Sequence, residues 1–409
     1  MKKFTSYITE ARNTHMEHIE DNVLNGGVTG ARESINYLRS LRDMLSGHAD
    51  TNVNVSVKWD GAPAIFAGTD PSDDKFFVAI KGVFAKTPKV YKTNADVDAD
   101  TSGDLADKLK LALKYLPDLN IKGIIQGDFL YSKKDIKTMK KKGVSYVVFH
   151  PNTIAYAVPS NIPLAKTIKR SKIGIVWHTK YTGSSLEDMT ASFGENIANS
   201  LTTSTSVWST DAEYQDQTGT ATFTKSETSD LTAILSSAGK TFKKINAAGL
   251  NGISEDDELL MRMKTFLNTK VRKQERVTNV KSAVNDMIDY MHDYYKIETE
   301  KRKSTKGKAT VDDRKKLVMK YFSSTNKTNL ENILELMNHI VDAKLMIIKK
   351  MNQASALSTF VQTDKGFKTT GEEGFVAIDK LGKNAVKLVD RMEFSFANFS
   401  DKVIKGWQR

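Results

Sequence analysis

The sequence predicts an α+β fold in which a strand-rich core is interrupted by a helical insertion. Short strands separated by turn residues fill about 51–180 and return at 373–390, and helical periodicity fills most of 255–350 between them. Short apolar runs between turn residues are typical of strands, whereas apolar residues at three- and four-residue steps are typical of helices. We therefore expect the last strands to rejoin the core that the first strands begin.

Changes in this pattern divide the chain into four segments. An N-terminal helical segment covers 1–50, and its residues 28–47 carry one apolar face. The first part of the core covers 51–226, the helical insertion covers 227–358, and the final strands of the core cover 359–409.

Within the first part of the core, the pattern predicts strands, one amphipathic helix and one irregular stretch. The helix carries Leu105, Leu109, Leu113 and Leu116 on one face. Residues 182–229 are rich in Ser, Thr and Gly, which predicts a long irregular excursion. The predicted strands include Val53–Lys58, Phe76–Lys81, Ile124–Tyr131, Tyr146–Phe149 and Ile173–Thr179.

The insertion carries two apolar stripes at helical spacing, one within 280–291 and the other within 330–341, which we interpret as helix core. Between them the run Lys301–Lys308 predicts a mobile basic loop. Two interpretations of this run stand side by side: a solvated loop, or a contact with nucleic acid.

Composition and charge exclude several functional classes. The chain of 409 residues contains no cysteine, which excludes disulfides, thiolate metal sites and cysteine nucleophiles. No stretch reaches the ~18–20 consecutive apolar residues that a membrane span needs, and the N-terminus is too polar for a secretory signal. The net charge of +12, from 61 Lys and Arg against 49 Asp and Glu, suits a polyanionic partner. We expect a monomeric intracellular protein with no membrane partner.

The segment Lys58-Trp59-Asp60-Gly61 carries the clearest chemical signal. In the strand before it, valines alternate with polar residues, so Lys58 ends a half-buried strand on its polar face. A lysine in its neutral form can act as a nucleophile. Four residues are a weak signal by themselves, and the alternative interpretation is a surface lysine before a turn.

Further motifs follow this segment in a fixed order along the chain. With these six motifs the sequence resembles the covalent nucleotidyltransferase superfamily of DNA ligases, RNA ligases and mRNA capping enzymes. The motifs are Lys58-Trp59-Asp60-Gly61, Ile80-Lys81-Gly82-Val83, Gln126-Gly127-Asp128-Phe129, Tyr146-Val147-Val148-Phe149, Glu373-Gly374-Phe375-Val376 and Ala385-Val386-Lys387-Leu388-Val389. The match covers roughly 51–150 and 370–395.

A narrower likeness is to RNA-ligase-like proteins of large tailed phages. The segments that carry this likeness are His15–Asn22, Lys58–Phe66, Pro151–Ile154 and Gly174–Thr179.

The resemblance implies that Lys58 becomes adenylylated by ATP. It also implies that Lys387 and Lys81 direct positive charge at the α-phosphate, where negative charge builds up. The second lysine of the last motif is replaced by Val389, and Arg391 is a candidate to replace its charge.

The resemblance also implies a nucleotide and metal site. Glu373 is the predicted ligand of Mg²⁺ or Mn²⁺, because hard cations take oxygen ligands. Asp128 stands where the family has a ribose-binding Glu, and it is a weaker candidate for the metal. Phe149 corresponds to the ring that stacks on adenine, and the alternative is a core aromatic. Asp60 and Gly61 complete the predicted nucleotide-binding residues.

The fold that the resemblance implies is a ligase-type core of two antiparallel sheets around an ATP pocket, with no C-terminal OB-fold. The implied function is an ATP-dependent ligase that seals 5′-phosphate and 3′-hydroxyl ends of nucleic acid, with RNA favoured over DNA. The alternative is a catalytically degenerate phage protein that binds nucleotide or nucleic acid.

Two further features bear on location and on the site. The leader Met1–Ala11 resembles the capsid-targeting leaders of T-even phage internal proteins, which suggests virion packaging in addition to the cytoplasm of an infected host cell. The alternative is a short amphipathic helix.

His15 and His18 have a spacing compatible with metal, although capping and packing are favoured. His178 ends an apolar strand, where a partly buried, satisfied histidine is favoured over an active-site role.

Overall fold

The structure is a computed structural model, and it describes residues 18–47, 53–85, 87–141, 143–193, 196–212, 222–354, 358–363, 366–369, 374–379 and 385–406. In these ranges no helix combines the length and the apolarity that crossing a membrane requires.

Three of the described helices lie between strands of the first part of the core, and six others follow one another in the insertion. Their bounds are α1 Asn22–Asn25, α2 Gly27–Leu45, α3 Asn94–Asp100, α4 Gly103–Tyr115, α5 Pro163–Arg170, α6 Lys225–Lys244, α7 Ala247–Ser254, α8 Asp257–Arg272, α9 Val280–Glu300, α10 Thr305–Tyr321, α11 Ser324–Met351 and α12 Arg391–Phe399.

The strands precede and follow the insertion. Their bounds are β1 Val53–Lys58, β2 Ala64–Thr69, β3 Phe76–Ala79, β4 Ile124–Ser132, β5 Lys137–Lys141, β6 Val144–Phe149, β7 Ile154–Pro159, β8 Ile173–Thr182, β9 Thr190–Phe193, β10 Val207–Asp211, β11 Ser358–Thr363, β12 Gly366–Thr369, β13 Gly374–Asp379, β14 Ala385–Leu388 and β15 Val403–Ile404.

These strands form three sheets. In the first, β13 lies between β1 and β14, and both pairings are antiparallel. The second sheet has the order β10-β8-β4-β2-β3, with β9 pairing with β8. The third has the order β12-β11-β7-β6-β5, with β15 pairing with β11. In the described chain, strands from both sides of the insertion therefore share the first and third sheets.

The protein is α+β as predicted, but the expectation of two antiparallel sheets is wrong for the described residues. A third sheet arises because the chain turns away after Lys58, so that β1 pairs with the returning β13 and not with β2. The second sheet is mixed, because β10 runs parallel to β8. A parallel neighbour requires a crossover connection instead of a hairpin.

The prediction of an irregular excursion over 182–229 is wrong in part. The strands β9 and β10 lie inside this range, and α6 begins at Lys225. The start of α6 is stabilised by a reciprocal cap: the Thr224 hydroxyl accepts from the amide of Glu227, and the Glu227 carboxylate accepts from the amide of Thr224. The Ser- and Thr-rich composition of this range therefore did not reveal β9, β10 or the cap of α6.

The mobile basic loop predicted at Lys301–Lys308 is also wrong in part, because α10 begins at Thr305 inside this run. The hydroxyl of Ser304 accepts from the amide of Gly307 at 3.1 Å and caps the helix. The first two cations of the run form ion pairs with Glu298. Only four residues, 301–304, separate α9 from α10.

The N-terminal segment and the insertion share one hydrophobic core. Leu38 and Leu41 of α2 are fully buried in the same cluster as Leu235 of α6 and Ile340 of α11. The apolar periodicity of each helix supplies the face that packs. Phe375 of β13 belongs to this cluster as well, so the core reaches the first sheet.

Buried charges reinforce this junction. The Lys344 ammonium on α11 donates to both carboxylate oxygens of Glu20 at 2.7 Å, and neither side chain is more than 3% exposed. Arg391 donates to Asp21 at 2.6 Å. The ion pairs therefore join the N-terminal segment to the insertion and to the start of α12.

Candidate active site around Lys58

The first sheet brings two predicted catalytic residues onto one face. In the pairing of β1 with β13, Lys58 lies opposite Gly374, and Ser56 lies opposite Val376. Val376 in turn lies opposite Lys387 of β14. Residues directly opposite in an antiparallel pair share a face, and so do residues two apart along one strand. The register therefore places Lys58 and Lys387 on the same face of the sheet.

The turn after Lys58 is held by the buried carboxylate of Asp60. Its oxygens accept from the amides of Thr153 and Ile154, both at 2.6 Å, and from the side-chain amide of Asn152 at 2.8 Å. Burial raises the pKa of Asp60, and these hydrogen bonds and the charge of Lys58 oppose that rise. Three donors occupy the carboxylate, so the geometry supports an anchoring role for Asp60.

The next residue of the motif, Gly61, packs directly against β4. A Cβ atom at Gly61 would lie 2.4 Å from the Cβ of Asp128 and 3.1 Å from the carbonyl oxygen of Phe129. The amide of Ala62 donates to that same carbonyl at 2.9 Å. Glycine is needed here because no side chain fits between the turn and the strand. The first and third predicted motifs are thereby in contact.

A β-bulge places His178 beside this junction. Gln126 pairs with Thr179, whereas the next residue of β4 pairs with Trp177, so His178 is the additional residue on β8. Bulges change the direction in which a side chain points. The Nε2 atom of His178 lies 4.0 Å from an Asp128 oxygen, and its Nδ1 atom lies 2.7 Å from the Thr179 hydroxyl. Burial, with a contribution from the charge of Lys58, lowers the pKa of His178 to about 4.

An aromatic ring from α12 also lies near the ammonium of Lys58. The ammonium of Lys58 lies over the ring of Phe394, 5.9 Å from its centroid. Asp390 caps the helix that carries this ring, because its carboxylate accepts from the amides of Met392 at 2.9 Å and Glu393 at 3.2 Å. The last helix therefore lies against the candidate nucleophile.

Phe149, the predicted adenine platform, lies in the interior. Its ring is 1% exposed and stacks on Tyr156 at 5.5 Å between centroids, and it also contacts Tyr131. This arrangement favours the alternative interpretation, in which Phe149 is a core aromatic.

Arg391 and Lys81 occupy different surroundings. Arg391 donates to Asp21 and to Asn268, and its ion pairs join α12 to the N-terminal segment. This geometry supports a structural role, whereas its predicted role in place of the lysine missing at Val389 stays a prediction. Lys81 lies exposed in the turn after β3, and its predicted phosphate contact also stays a prediction.

The predicted metal ligand, Glu373, lies outside the described residues. Among the side chains that the structure describes, no group of three or more His, Asp or Glu could hold a metal ion. Asp128 is a carboxylate beside the Lys58 turn, and its side chain remains 20% exposed. Mg²⁺ is usually held by one or two carboxylates together with substrate phosphates and water. The role of Asp128 as a metal ligand therefore stays a prediction.

Several residues of the site were not predicted from the sequence. The contacts of Asn152, Thr153 and Ile154 with Asp60 had one signal, because these residues belong to a segment that carries the narrower phage likeness. Tyr156 accepts a hydrogen bond from the amide of Asp60 at 2.7 Å, and in the sequence it belongs to an apolar strand. Phe394 follows the last motif and had no signal.

Comparison with known proteins identifies a family without an assigned activity. No curated protein and no solved structure matches the chain. The model of a family of unknown function, DUF6267, matches residues 13–403. This match spans nearly the whole chain, which includes the Lys58 turn, the helical insertion and β14. The chain therefore belongs to the DUF6267 family.

Proposed function

We propose that this protein is an ATP-dependent covalent nucleotidyltransferase of the ligase type, with Lys58 as its nucleophile. One observation carries the proposal: three strands that hold Lys58, Gly374 and Lys387 are neighbours in one antiparallel sheet. These strands come from opposite sides of a long helical insertion, and each contains one of the motifs that resemble the superfamily. Chance motifs would have no reason to meet at one face.

The rigidity of the Lys58 turn supports the same proposal. Three donors hold Asp60, Gly61 packs on Asp128, and the ammonium of Lys108 donates to the carbonyl of Ala62 at 3.0 Å. A nucleophile gains rate when its position relative to the reacting atom is fixed before reaction. A surface lysine before a turn would not need such an arrangement.

The proposed chemistry proceeds in three balanced steps. The Nζ atom of Lys58 attacks the α-phosphorus of ATP, a proton leaves Nζ, and pyrophosphate departs, which leaves a phosphoramide bond to AMP. A 5′-phosphate oxygen of a polynucleotide then attacks the phosphorus of this AMP, the bond from phosphorus to Nζ breaks, and Nζ takes up a proton. Finally a 3′-hydroxyl attacks that 5′-phosphate, loses its proton and releases AMP. Lys387 contributes positive charge on the face where the first step builds negative charge.

A divalent cation would supply charge neutralisation at the phosphates. Asp128 is the described carboxylate that fits it, and Glu373 is the ligand that the sequence predicts. ATP with Mg²⁺ or Mn²⁺ is thus the proposed nucleotide requirement. RNA is the favoured polynucleotide. The same proposal includes that the protein acts as a monomer in the cytoplasm of an infected cell and is also packaged in the virion.

A catalytically silent nucleotide- or nucleic-acid-binding protein is the second candidate. Two observations favour it: Phe149 is buried in the core, and Val389, where the family has its second lysine, is only 2% exposed. Such a protein would keep the fold of the site and would not form a bond to AMP.

Self-adenylylation separates these candidates without knowledge of the polynucleotide. Purified protein is incubated with ATP labelled at its α-phosphate and with Mg²⁺ or Mn²⁺. We expect label on the protein, and we expect Lys387→Ala to slow labelling by about 10²–10³-fold, the typical loss for one preorganised charge contact. Label that then moves to a 5′-phosphorylated RNA supports ligation. Wild-type protein that acquires no label in either metal supports the silent protein.

A further inference from the structure

The end of α12 presents an aromatic ring to solvent beneath a cation. Phe399 is 68% exposed, and the guanidinium of Arg272, at the end of α8, lies 5.7 Å from its ring centroid. A single exposed apolar side chain is ordinary. An exposed ring paired with an arginine is more informative, because planar bases stack on aromatic rings and on guanidinium groups.

Two further cations are close in the sequence to this pair: Lys273 follows Arg272, and Lys402 lies three residues after Phe399. Lys273 and Lys402 are exposed, and within the described ranges neither they nor Arg272 form an ion pair. By contrast, their neighbours Lys270 and Arg276 are bound by Asp286 and Asp342. Arg272, Lys273 and Lys402 therefore carry positive charge that is not paired with a carboxylate in the described chain, although the exposed Asp401 precedes Lys402 directly.

The helix that carries this ring is fixed to the rest of the molecule at both ends. At its start, Gln274 donates to the carbonyl of Met392 at 3.0 Å. Near its end, Asn398 and Thr153 both accept from the ammonium of Lys405, at 3.3 and 2.8 Å. The ring of Phe399 is thus presented on a rigid element, which reduces the entropy lost when a ligand stacks on it.

The same helix connects this surface to the candidate nucleophile. Phe394, whose ring lies near the ammonium of Lys58, precedes Phe399 by five residues. At ~1.5 Å of rise per residue the two positions lie roughly 7.5 Å apart along the helix axis. Five residues also turn the helix by ~140°, so the two rings lie on different sides of α12.

We propose that Arg272, Lys273, Phe399 and Lys402, here called the α12 surface, bind a single-stranded polynucleotide. A base stacks on the face of the Phe399 ring that Arg272 does not cover, while Lys273 and Lys402 contact phosphates. The identity of this strand as the one whose end is joined rests on the proposed function, because α12 reaches Lys58. Binding itself does not require catalysis. A protein partner is the competing occupant, and it would need no phosphate.

The test measures binding of the full-length protein to single-stranded RNA by fluorescence anisotropy, without ATP. The probe carries a 5′-phosphate and a 3′-fluorophore and has about 12 nucleotides, within the range of site sizes for single-strand grooves. We expect Phe399→Ala to weaken binding roughly 10-fold, the loss of one stacked base. Phe399→Trp should retain binding because indole also stacks. Lys273→Ala should lower the salt dependence by about one phosphate contact.

Leu317→Ala is the matched control, because Leu317 is 69% exposed on α10, in the insertion. Wild-type protein that does not bind the RNA would overturn the proposal. So would equal affinities of the Phe399→Ala, Leu317→Ala and wild-type proteins. Labelling of wild-type protein with AMP in a parallel reaction keeps the two proposals distinct. Phe399-dependent RNA binding without AMP transfer contradicts only the proposed function, and AMP transfer with Phe399-independent binding contradicts only the α12 surface.

Discussion

At the scale of single residues, the identity of each side chain in the Lys58 turn follows from what it touches. Asp60 is buried where two backbone amides point, and Gly61 lies where no Cβ fits. The motif could be found in the sequence because the buried hydrogen bonds of Asp60 and the close packing at Gly61 restrict the residue types at these positions. The phage likeness marked the segment that contains its partners, but the contact itself could not be predicted, because a backbone amide such as that of Thr153 does not restrict the residue type.

Phe149 shows the limit of prediction for aromatic residues. A ring in an apolar strand has the same sequence signal whether it stacks on a nucleotide or packs between Tyr131 and Tyr156. Phe394 lies close to Lys58, yet it belongs to a helix that no motif covers. Geometry decides between such rings, and strand alternation does not.

Replacing Gly61 by Ala tests the close packing of the turn. The new Cβ would overlap with Asp128, so we expect unfolding in urea to show a loss of about 1–3 kcal/mol, the usual cost of overpacking. Gly252→Ala is the control: outside the backbone of its own helix and its chain neighbours, no atom lies within 4 Å of a Cβ added at this glycine, and Ala should raise stability by up to about 1 kcal/mol. Equal stabilities of the Gly61→Ala and wild-type proteins would show that the turn does not pack as described.

At the scale of elements, several strands of the core could be predicted from the sequence, whereas β9, β10 and the register of the strands could not. The predicted segment Val53–Lys58 matches β1, and Ile124–Tyr131 differs from β4 by one residue. The alternation of apolar and polar residues identifies each strand separately, however, and does not show which strands pair. The pairing of Lys58 with Gly374 depends on contacts between residues that are distant in the sequence. The bulge at His178 is a property of two strands together, so it also had no sequence signal.

The buried position of His178 at the bulge leads to a prediction about how the stability of the protein depends on pH. His178 has a pKa lowered to about 4 in the folded protein, from an ordinary value of 6.5, because it is buried near Lys58. Between these values the unfolded chain binds a proton that the folded protein does not. The free energy of unfolding should therefore fall as pH drops from about 6.5 to about 4. His18, with a pKa lowered to about 3 mainly by burial, acts in the same direction.

Substitution of His178 measures its contribution to the pH dependence of the free energy of unfolding. His178→Asn keeps a polar side chain that does not titrate, so it should reduce the pH dependence by as much as ~1 kcal/mol per pH unit. Urea unfolding of both proteins at several pH values between 4 and 6.5 measures this difference. Identical slopes would mean that His178 is protonated equally in the folded and unfolded states.

At the scale of the whole molecule, the N-terminal segment and the insertion form one helical body with a shared core. The sequence predicted the helices of both, because their apolar periodicity is strong. It could not predict that they pack together, since amphipathic faces do not specify their partner. The buried pair of Lys344 with Glu20 lies at this junction, close to the strand that carries Lys387.

Breaking that pair should destabilise the whole protein. Lys344→Met leaves the carboxylate of Glu20 buried without its closest cation, and we expect a loss of about 3–5 kcal/mol in urea unfolding. Adding Glu20→Gln removes the buried charge and should restore most of the loss. Lys316→Met breaks an exposed pair with Asp313 and should change stability by less than ~1 kcal/mol. A Lys344→Met protein as stable as the Lys316→Met control would contradict this view of the junction.

The central claim concerns the bond between Lys58 and AMP, and intact-mass analysis with peptide mapping tests it most directly. After incubation with ATP and Mg²⁺, we expect a mass increase of one AMP, located on the peptide that contains Lys58. A phosphoramide should persist in base and break in acid. Lys58→Ala and Lys58→Arg should both lack the adduct, because a guanidinium does not lose its proton. Lys316→Ala, on the exposed face of α10, should retain it. Wild-type protein without added AMP, or a Lys58→Ala protein that still acquires it, would contradict the account.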